Sequence, residues 1–384
     1  MGTQIKRIGI LTGGGDCPGL NSVIYGIMLK AYEAGVECIG ILKGWKGFNE
    51  NLTIPLNIAE HDDLHTIGGT LLFTSRTNPF KTSSLKEQVA KDLASKFDKL
   101  GIDALVAIGG DDTLSVAEVM YQYTNANVVG VPKTIDNDLA GTHYTFGFWS
   151  AVQLASNAMD NLTTTARSHQ RVFVVEIMGR DAGFLTMYSG ISTGADIILI
   201  PETPFDLGKD IVEVLKNRVK AGHKHHIIAV SEGAYPKPES LKRDFKTISQ
   251  ETIDNLPKDA FGNPLLTHLK ISQIIVQELN LREELKQVFN ENGVDFECRS
   301  VILGHTMRAG APNSFDRILG LRFGLAVMKL ILEGNFGKMV CLQGNQIKTI
   351  PLSEGVKKKY ITPENDKMEL RDLLVKIRYL SKQK

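Results

Sequence analysis

Ile8-Gly9-Ile10-Leu11-Thr12-Gly13-Gly14-Gly15-Asp16-Cys17-Pro18-Gly19-Leu20-Asn21 begins as a short apolar run, passes through three consecutive glycines, and leads into a helix-compatible stretch over residues 22–34. An apolar strand that feeds a helix through a glycine turn is the building unit of a parallel sheet. Outward from it, runs rich in Val and Ile recur at residues 38–42, 104–108, 128–131, 172–177, 197–200, 227–230 and 339–342, with helix-like stretches between them. Almost every run ends near Gly, Asp or Pro. The pattern predicts an α/β protein, mainly parallel strands flanked by helices, in which ligands bind just outside the carboxyl ends of the strands.

Chemistry is therefore sought at those ends. Gly13, Gly14 and Gly15 allow backbone conformations closed to other residues and let amide groups approach an anion, so phosphate is the natural guest; a plain strand-to-helix turn reads the same way. The dinucleotide fingerprint fails because Pro18 holds the place of its third glycine, and no Gly-Lys pair is followed by Ser or Thr. A second loop, Gly109-Gly110-Asp111-Asp112-Thr113-Leu114-Ser115, sets two carboxylates side by side, which is costly unless a cation or ligand compensates them. Asp111 becomes the candidate magnesium ligand; Thr113 is also an ordinary helix cap. The third loop, Gly130-Val131-Pro132-Lys133-Thr134-Ile135-Asp136-Asn137-Asp138, offers a general base for a hydroxyl nucleophile in Asp136, with Asp138 to assist the metal or orient the base. Asn137 alone reads as a surface Asx turn.

Composition narrows the partners. The chain has 384 residues, 42% of them hydrophobic and 23% charged, enough for a sizeable core and two or three lobes. Lys plus Arg (44) and Asp plus Glu (43) nearly cancel, so no global field draws the molecule to nucleic acid or an anionic membrane. No apolar run approaches a membrane span, the N-terminal apolar stretch is too short for a signal-peptide core, and Lys6 stands where a myristoylation motif needs Ser or Thr. Cys17, Cys38, Cys298 and Cys341 form no Cys-x-x-Cys pair, which argues against a zinc site or a disulfide framework and for a reducing cytoplasm.

The three loops together resemble those of the phosphofructokinases. Further motifs of that family follow in order: Ser168-His169-Gln170-Arg171, Met178-Gly179-Arg180, Glu232, Arg299, the run Leu303-Gly304-His305-Thr306-Met307-Arg308-Ala309-Gly310, and Asp316-Arg317. The resemblance implies two similar lobes, each a mainly parallel sheet flanked by helices. The donor and magnesium lobe would comprise residues 1–146 and about 307–357, the sugar-phosphate lobe residues 147–306 and about 358–384, with an elaborated connection over 233–298. It implies that Gly14, Gly15 and Arg76 meet the donor phosphates and that Asp111 holds Mg2+. Asp136 would deprotonate the sugar 1-hydroxyl beside Thr134, Ile135 and Asp138, with Arg180 stabilising the phosphoryl group in transfer. Met178, Gly179 and Glu232 would line the sugar, and His305 and Arg308 would bind its 6-phosphate. Arg171 and Arg299 would reach a neighbour's site, making the active unit at least a dimer with shared sites.

Two departures bear on the donor. ATP-using members generally carry glycine where this chain has Asp112, whose carboxylate would repel a nucleotide α-phosphate in a partly dry site. Lys133 stands where glycine is common and would neutralise a diphosphate leaving group. The pair is the signature of the diphosphate-dependent branch, so the expected reaction is reversible phosphorylation of D-fructose 6-phosphate by diphosphate. ATP as donor, or another sugar such as sedoheptulose 7-phosphate, is the alternative. Tyr25, Leu29 and His223 replace the effector-binding cations of bacterial members, so that regulatory site is expected to be absent. Of His223, His225 and His226 two alternate on a strand edge with no carboxylate nearby, so the cluster is not read as a metal site. Cys17, close to a helix start, is either a thiol of lowered pKa or, the simpler reading, a small packing residue. A helix is expected around residues 265–279 and an amphipathic one over 368–380.

Overall fold

The computed structural model describes residues 5–81, 85–258 and 265–379. In chain order its strands are β1 (Arg7–Thr12), β2 (Glu37–Ile41), β3 (Thr53–Leu56), β4 (Ala104–Gly109), β5 (Val128–Pro132), β6 (Val172–Ile177), β7 (Ile197–Leu199), β8 (His226–Ser231), β9 (Cys298–Ile302), β10 (Lys338–Gln343) and β11 (Gln346–Pro351). They fall into two compact units, residues 1–150 with 308–359 and residues 151–307 with 360–384.

The first unit holds a seven-stranded sheet in the order β11-β10-β5-β4-β1-β2-β3. Its centre is parallel: Ile10 lies opposite Gly40 on one side and Val106 on the other, and Val106 opposite Val129. β4 and β5 are buried along their whole length, which is why they read as unbroken apolar runs. From β1 the chain moves to β2 on one side and then crosses to β4 on the other. The crevice at the carboxyl ends of β1 and β4 is therefore a topological switch point. The glycine loop and the Asp111-Asp112 loop both begin there.

Three strands escape the apolar pattern, all at sheet edges. β3 and β11 are antiparallel to β2 and β10. Pro55 in β3, opposite Ile39, is tolerated because an edge strand need not donate on its outer side. β11, Gln-Ile-Lys-Thr-Ile-Pro, has no fully buried residue and part-buries only Ile347 and Ile350, so it carries no apolar run. β9, Cys-Arg-Ser-Val-Ile, is the edge of the second sheet.

The second unit is built on four parallel strands in the order β7-β8-β6-β9. The connection over 233–298 is part of its core. Helices Pro238–Asp244, Ile271–Asn280 and Glu283–Glu291 deliver Leu241, Ile275, Leu279, Leu285 and Phe289 into the cluster formed by Val172, Ile228 and Val230 of the sheet. Glu176 of β6 is buried at the same place, and its carboxylate accepts hydrogen bonds from the Ser272 amide at 3.0 Å and the Ser272 hydroxyl at 2.7 Å. A buried charge is tolerable when it is hydrogen-bonded in this way. Of the helix expected around 265–279, residues 266–269 form a 3-10 turn and Ile271–Asn280 the helix itself. The C-terminal helix is Asp366–Tyr379; residue 380 of the expected span lies outside the described residues. Among the described residues no helix is long and apolar enough to cross a membrane.

Candidate active site

In the first unit, the loop after β1 is tied down by three hydrogen bonds to two segments. The Gly13 amide donates to the Ile108 carbonyl of β4 at 2.9 Å, and the Gly14 amide donates to the Ser75 carbonyl at 2.9 Å. The Thr74 hydroxyl returns a bond to the Gly14 carbonyl at 2.5 Å. Arg76, the next residue but one, is exposed beside the loop. Glycine is required here on two grounds. Gly14 adopts φ +81, and a Cβ on Gly15 would lie 1.8 Å from Nη1 of Arg308. Arg308 thus packs on the glycine loop, donating to the Asp16 carbonyl at 3.5 Å, while its buried Nε has no hydrogen-bond partner.

Lys133 follows β5. Its amide donates to the Gly109 carbonyl at 2.9 Å, which carries its side chain to the glycine loop, where the ammonium donates to the Gly15 carbonyl. The residue is 4% exposed. Burial lowers its pKa, with Cys17 and Asp136 pulling the other way and Arg308 adding to the depression. Asp112, by contrast, is exposed in the first turn of helix Asp111–Thr124, where the helix dipole favours a carboxylate. The dipole is thus one source of the compensation that two adjacent carboxylates need.

The loop after β5, which carries Asp136, is braced by its own hydrogen bonds. The Thr134 hydroxyl accepts from the Asp136 amide at 3.0 Å, and Thr145 donates its hydroxyl to the Thr134 carbonyl at 2.7 Å. Asn137 sits at φ 54 and uses its side chain to receive the Thr145 amide at 3.1 Å and to bond the His143 carbonyl at 3.2 Å. It is an internal brace, 1% exposed, where the sequence alone reads a surface turn. Ile135 and Asp136 are buried at 2% and 8% exposure.

Asp111 and Asp138 come together from the β4 and β5 loops. Desolvation, followed by the Asp111 charge, raises the Asp138 pKa against the lowering effects of Lys358 and of the Thr134 hydroxyl. Lys358 was not visible as a site residue in the sequence: its ammonium stands 4.0 Å from Asp111 Oδ2 and 3.9 Å from Asp138 Oδ2. Among the described residues no group of three or more His, Cys, Asp or Glu side chains is placed to hold a metal. Two hard carboxylate oxygens of like charge nevertheless suit Mg2+, which usually takes one or two protein carboxylates and completes its shell with water and substrate phosphate.

In the second unit the candidate sugar residues lie at the carboxyl ends of three adjacent strands: Met178, Gly179 and Arg180 after β6, Glu232 after β8, His305 in the turn after β9. The Glu232 carboxylate receives the amides of Gly179 at 3.3 Å and Arg180 at 3.1 Å, so it shapes the loop beside which the sequence places it as a sugar-lining residue. The Met178 amide points at the Met307 sulfur, 3.4 Å away. Arg180 is exposed and adopts φ 49, an uncommon conformation for a residue with a side chain that stores strain at the loop. His305 is exposed. Arg171 and Arg299 are held together by Glu297: Arg171 bonds one carboxylate oxygen and Arg299 Nε the other, at 2.6 Å. Desolvation acts upward on Glu297, but these two arginines outweigh it and leave the carboxyl below its ordinary range.

Of the two readings of Cys17 the simpler, a packing residue, holds, and the reading of the histidine cluster requires correction. The Cys17 thiol is pushed up to about 12 by burial, which overrides the helix start, so it is not activated. All four cysteines are buried and free. The histidine cluster does have a carboxylate: Asp196 Oδ2 lies 3.6 Å from His226 Nδ1, and Asp196 Oδ1 pairs with Arg218 at 2.6 Å. Asp196 precedes β7 and is brought there by pairing with β8, a contact 30 residues away in sequence that no local pattern discloses.

The sequence and the fold have counterparts in known proteins. A sequence model of the phosphofructokinase family matches residues 7–331. The chain is 41% identical over 360 residues to a pyrophosphate–fructose 6-phosphate 1-phosphotransferase of Amycolatopsis methanolica, covering 93% of this chain and 97% of that one. It is 39% identical over 368 residues to an ATP-dependent 6-phosphofructokinase of Spirochaeta thermophila, covering 94% of each. Among solved structures, the phosphofructokinase of Saccharomyces cerevisiae superimposes with a TM-score of 0.70 at 28% identity over 91% of this chain, which spans 45% of the yeast chain. With a family match across most of its length and relatives of near-equal extent, the chain belongs to the phosphofructokinase family.

Proposed function

We propose that the protein catalyses reversible transfer of a phosphoryl group from diphosphate to the 1-hydroxyl of D-fructose 6-phosphate, giving D-fructose 1,6-bisphosphate and orthophosphate. The observation that carries the choice of donor is the placement of Lys133, a buried ammonium bonded to the Gly15 carbonyl, together with an exposed carboxylate, Asp112, at the start of the neighbouring helix. Overall similarity does not separate the donors, because relatives named for diphosphate and for ATP differ from this chain almost equally. The residues do: Asp112 opposes an α-phosphate, and Lys133 neutralises the orthophosphate that leaves.

In the forward direction Asp136 takes the proton of the sugar 1-hydroxyl as its oxygen attacks the terminal phosphorus of diphosphate. The new P–O bond forms, the bridging P–O bond breaks, and the electron pair stays on the departing phosphate. Gly14, Gly15 and Arg76 bind the donor, and Lys133 receives charge on the leaving group. Thr134, Ile135 and Asp138 hold the base loop, and Arg180 stabilises the phosphoryl group between its two oxygens. Glu232, Met178 and Gly179 bind the sugar body; His305 and Arg308 bind its 6-phosphate, for which the Arg308 side chain turns away from the Gly15 loop on which it packs here; Arg171 and Arg299 complete a neighbouring subunit's site in a dimer or larger assembly. Asp111, with Asp138 beside it, would hold Mg2+, which neutralises phosphate charge when bound. Four buried thiols suit a reducing compartment, the cytoplasm.

The direct test is turnover of fructose 6-phosphate with Mg2+ and either diphosphate or ATP, followed through fructose 1,6-bisphosphate. Activity with diphosphate alone is expected. Activity with ATP alone would overturn the donor, and activity only with sedoheptulose 7-phosphate would overturn the sugar.

A further inference from the structure

The segment just before the end of the first unit is laid against the base loop as an antiparallel strap. The Ala140 amide donates to the Lys357 carbonyl at 2.8 Å, the Lys359 amide donates to the Asp138 carbonyl at 2.8 Å, and Leu139 and Lys358 form a bridge between them. Lys359 fastens the far end: its half-buried ammonium bonds the carbonyls of Thr142 at 2.9 Å and His143 at 3.2 Å. Lys358 is thus held by backbone bonds on both sides, and its ammonium stands at nearly equal distance, 4.0 and 3.9 Å, from the carboxylates of Asp111 and Asp138. Its side chain is 30% exposed, so it has room to leave.

We infer that Lys358 is a built-in counter-ion of the Asp111–Asp138 pair that competes with the divalent metal, so that metal enters the site together with the phosphates of the donor and not before them. The inference rests on the reading of Asp111 as a metal ligand. Two like carboxylates at a strand end attract any cation within reach, and a tethered ammonium is always within reach. A free divalent ion must displace it against charge repulsion and then share the site with it. A metal that arrives on diphosphate brings anionic oxygens to which the displaced ammonium can turn. Lys358 is in this sense an affinity-determining residue of the donor site and not a group that touches the reacting atoms.

The experiment is a titration of Mn2+ into the substrate-free, full-length protein, read by the electron paramagnetic resonance of unbound Mn2+. Wild type, Lys358→Met, Lys358→Gln, Lys358→Arg and Asp111→Asn are compared, each first shown to melt cooperatively. Lys358→Met and Lys358→Gln are expected to bind Mn2+ at least about tenfold more tightly than wild type, and Lys358→Arg to match wild type. Equal or weaker binding in both neutral variants, or no binding in any protein, would overturn the inference. Asp111→Asn separates the two ideas. The Asp111→Asn change is therefore also made on the Lys358→Met background: if that double variant binds as Lys358→Met does, the metal reading itself has failed; if it binds more weakly while the neutral Lys358 variants bind as wild type does, only the counter-ion inference has.

Discussion

The ammonium of Lys133 is hydrogen-bonded to the carbonyl of Gly15, so the cation lies against the glycine loop and away from bulk solvent. A charge so placed is preorganised: it need not be gathered from water when charge develops on a leaving group. Replacing Lys133 with Met should lower turnover with diphosphate by about two to three orders of magnitude. Replacing Asp112 and Lys133 together with Gly should admit ATP, because the repelling carboxylate and the cation tuned to the smaller donor leave at once. Parallel assays with both donors decide it; undetectable ATP use would mean that another group closes the pocket.

Asp136 is buried, and its amide is pinned to the Thr134 hydroxyl at 3.0 Å. Substitution by Asn keeps the shape and removes the proton acceptor. Turnover should fall by about two to four orders of magnitude, with KM for fructose 6-phosphate changed little. Near-normal kcat would take Asp136 out of the base role.

Much of this site was legible because its parts are local. Gly13 to Gly15, Asp111 and Lys133 to Asp138 each follow a strand directly, and an apolar run ending in Gly or Asp marks that place without knowledge of the fold. What stayed hidden is what the fold brings from afar. Lys358 reaches Asp138 only through the antiparallel strap, Glu297 reaches Arg171 only through the pairing of β6 with β9, and Asp196 meets His226 only through the pairing of β7 with β8. The edge strands were missed for a related reason, since half-exposed strands such as β11 carry no continuous apolar signal. The connection over 233–298 reads only as an elaborated connection without an assigned role, because its polar start, with Pro236 and Pro238, conceals the buried faces of Ile271–Asn280 and Glu283–Glu291.

Glu232 offers a test of loop shape distinct from chemistry. Its carboxylate holds the amides of Gly179 and Arg180, the latter in a strained conformation. Glu232→Gln retains one acceptor oxygen and should raise KM for fructose 6-phosphate by roughly tenfold, as a charge-assisted bond becomes a neutral one. Glu232→Ala should cost kcat as well, because Arg180 is then free to relax. Equal kinetics for the two variants would show that the bonds to the loop do not matter.

Asp316 supplies a prediction in pH. It is fully buried, accepts hydrogen bonds from the Ser150 amide at 2.7 Å and hydroxyl at 2.6 Å, and leaves Oδ1 without a partner. Burial raises its pKa to about 6 from 3.8, with Ser150 opposing the rise. The folded state therefore holds the proton more tightly than the unfolded chain. Its contribution favours folding below pH about 4, is lost as pH rises toward about 6, and stays lost above, a change on the order of 3 kcal/mol. Asp316→Asn should be more stable than wild type by up to that amount at pH 7.5, with the difference shrinking as pH falls from 6 toward 4.5. Urea unfolding across that range checks it, and a difference independent of pH would mean that Asp316 does not carry the linkage.

Arg171 and Arg299 meet at Glu297, and the proposed function has them serve the neighbour's sugar site. Asp136→Asn and Arg171→Ala should each be nearly inactive alone, for different reasons: one lacks its base, the other cannot complete its partner's site. Mixed and allowed to exchange subunits, half of the dimers become hybrids, and each hybrid has one site with both native residues. Activity should recover to about a quarter of wild type in a two-fold dimer with shared sites. If Arg171 served the site of its own subunit, every hybrid would contain only defective sites. Mixing would then restore nothing, whatever the size of the assembly.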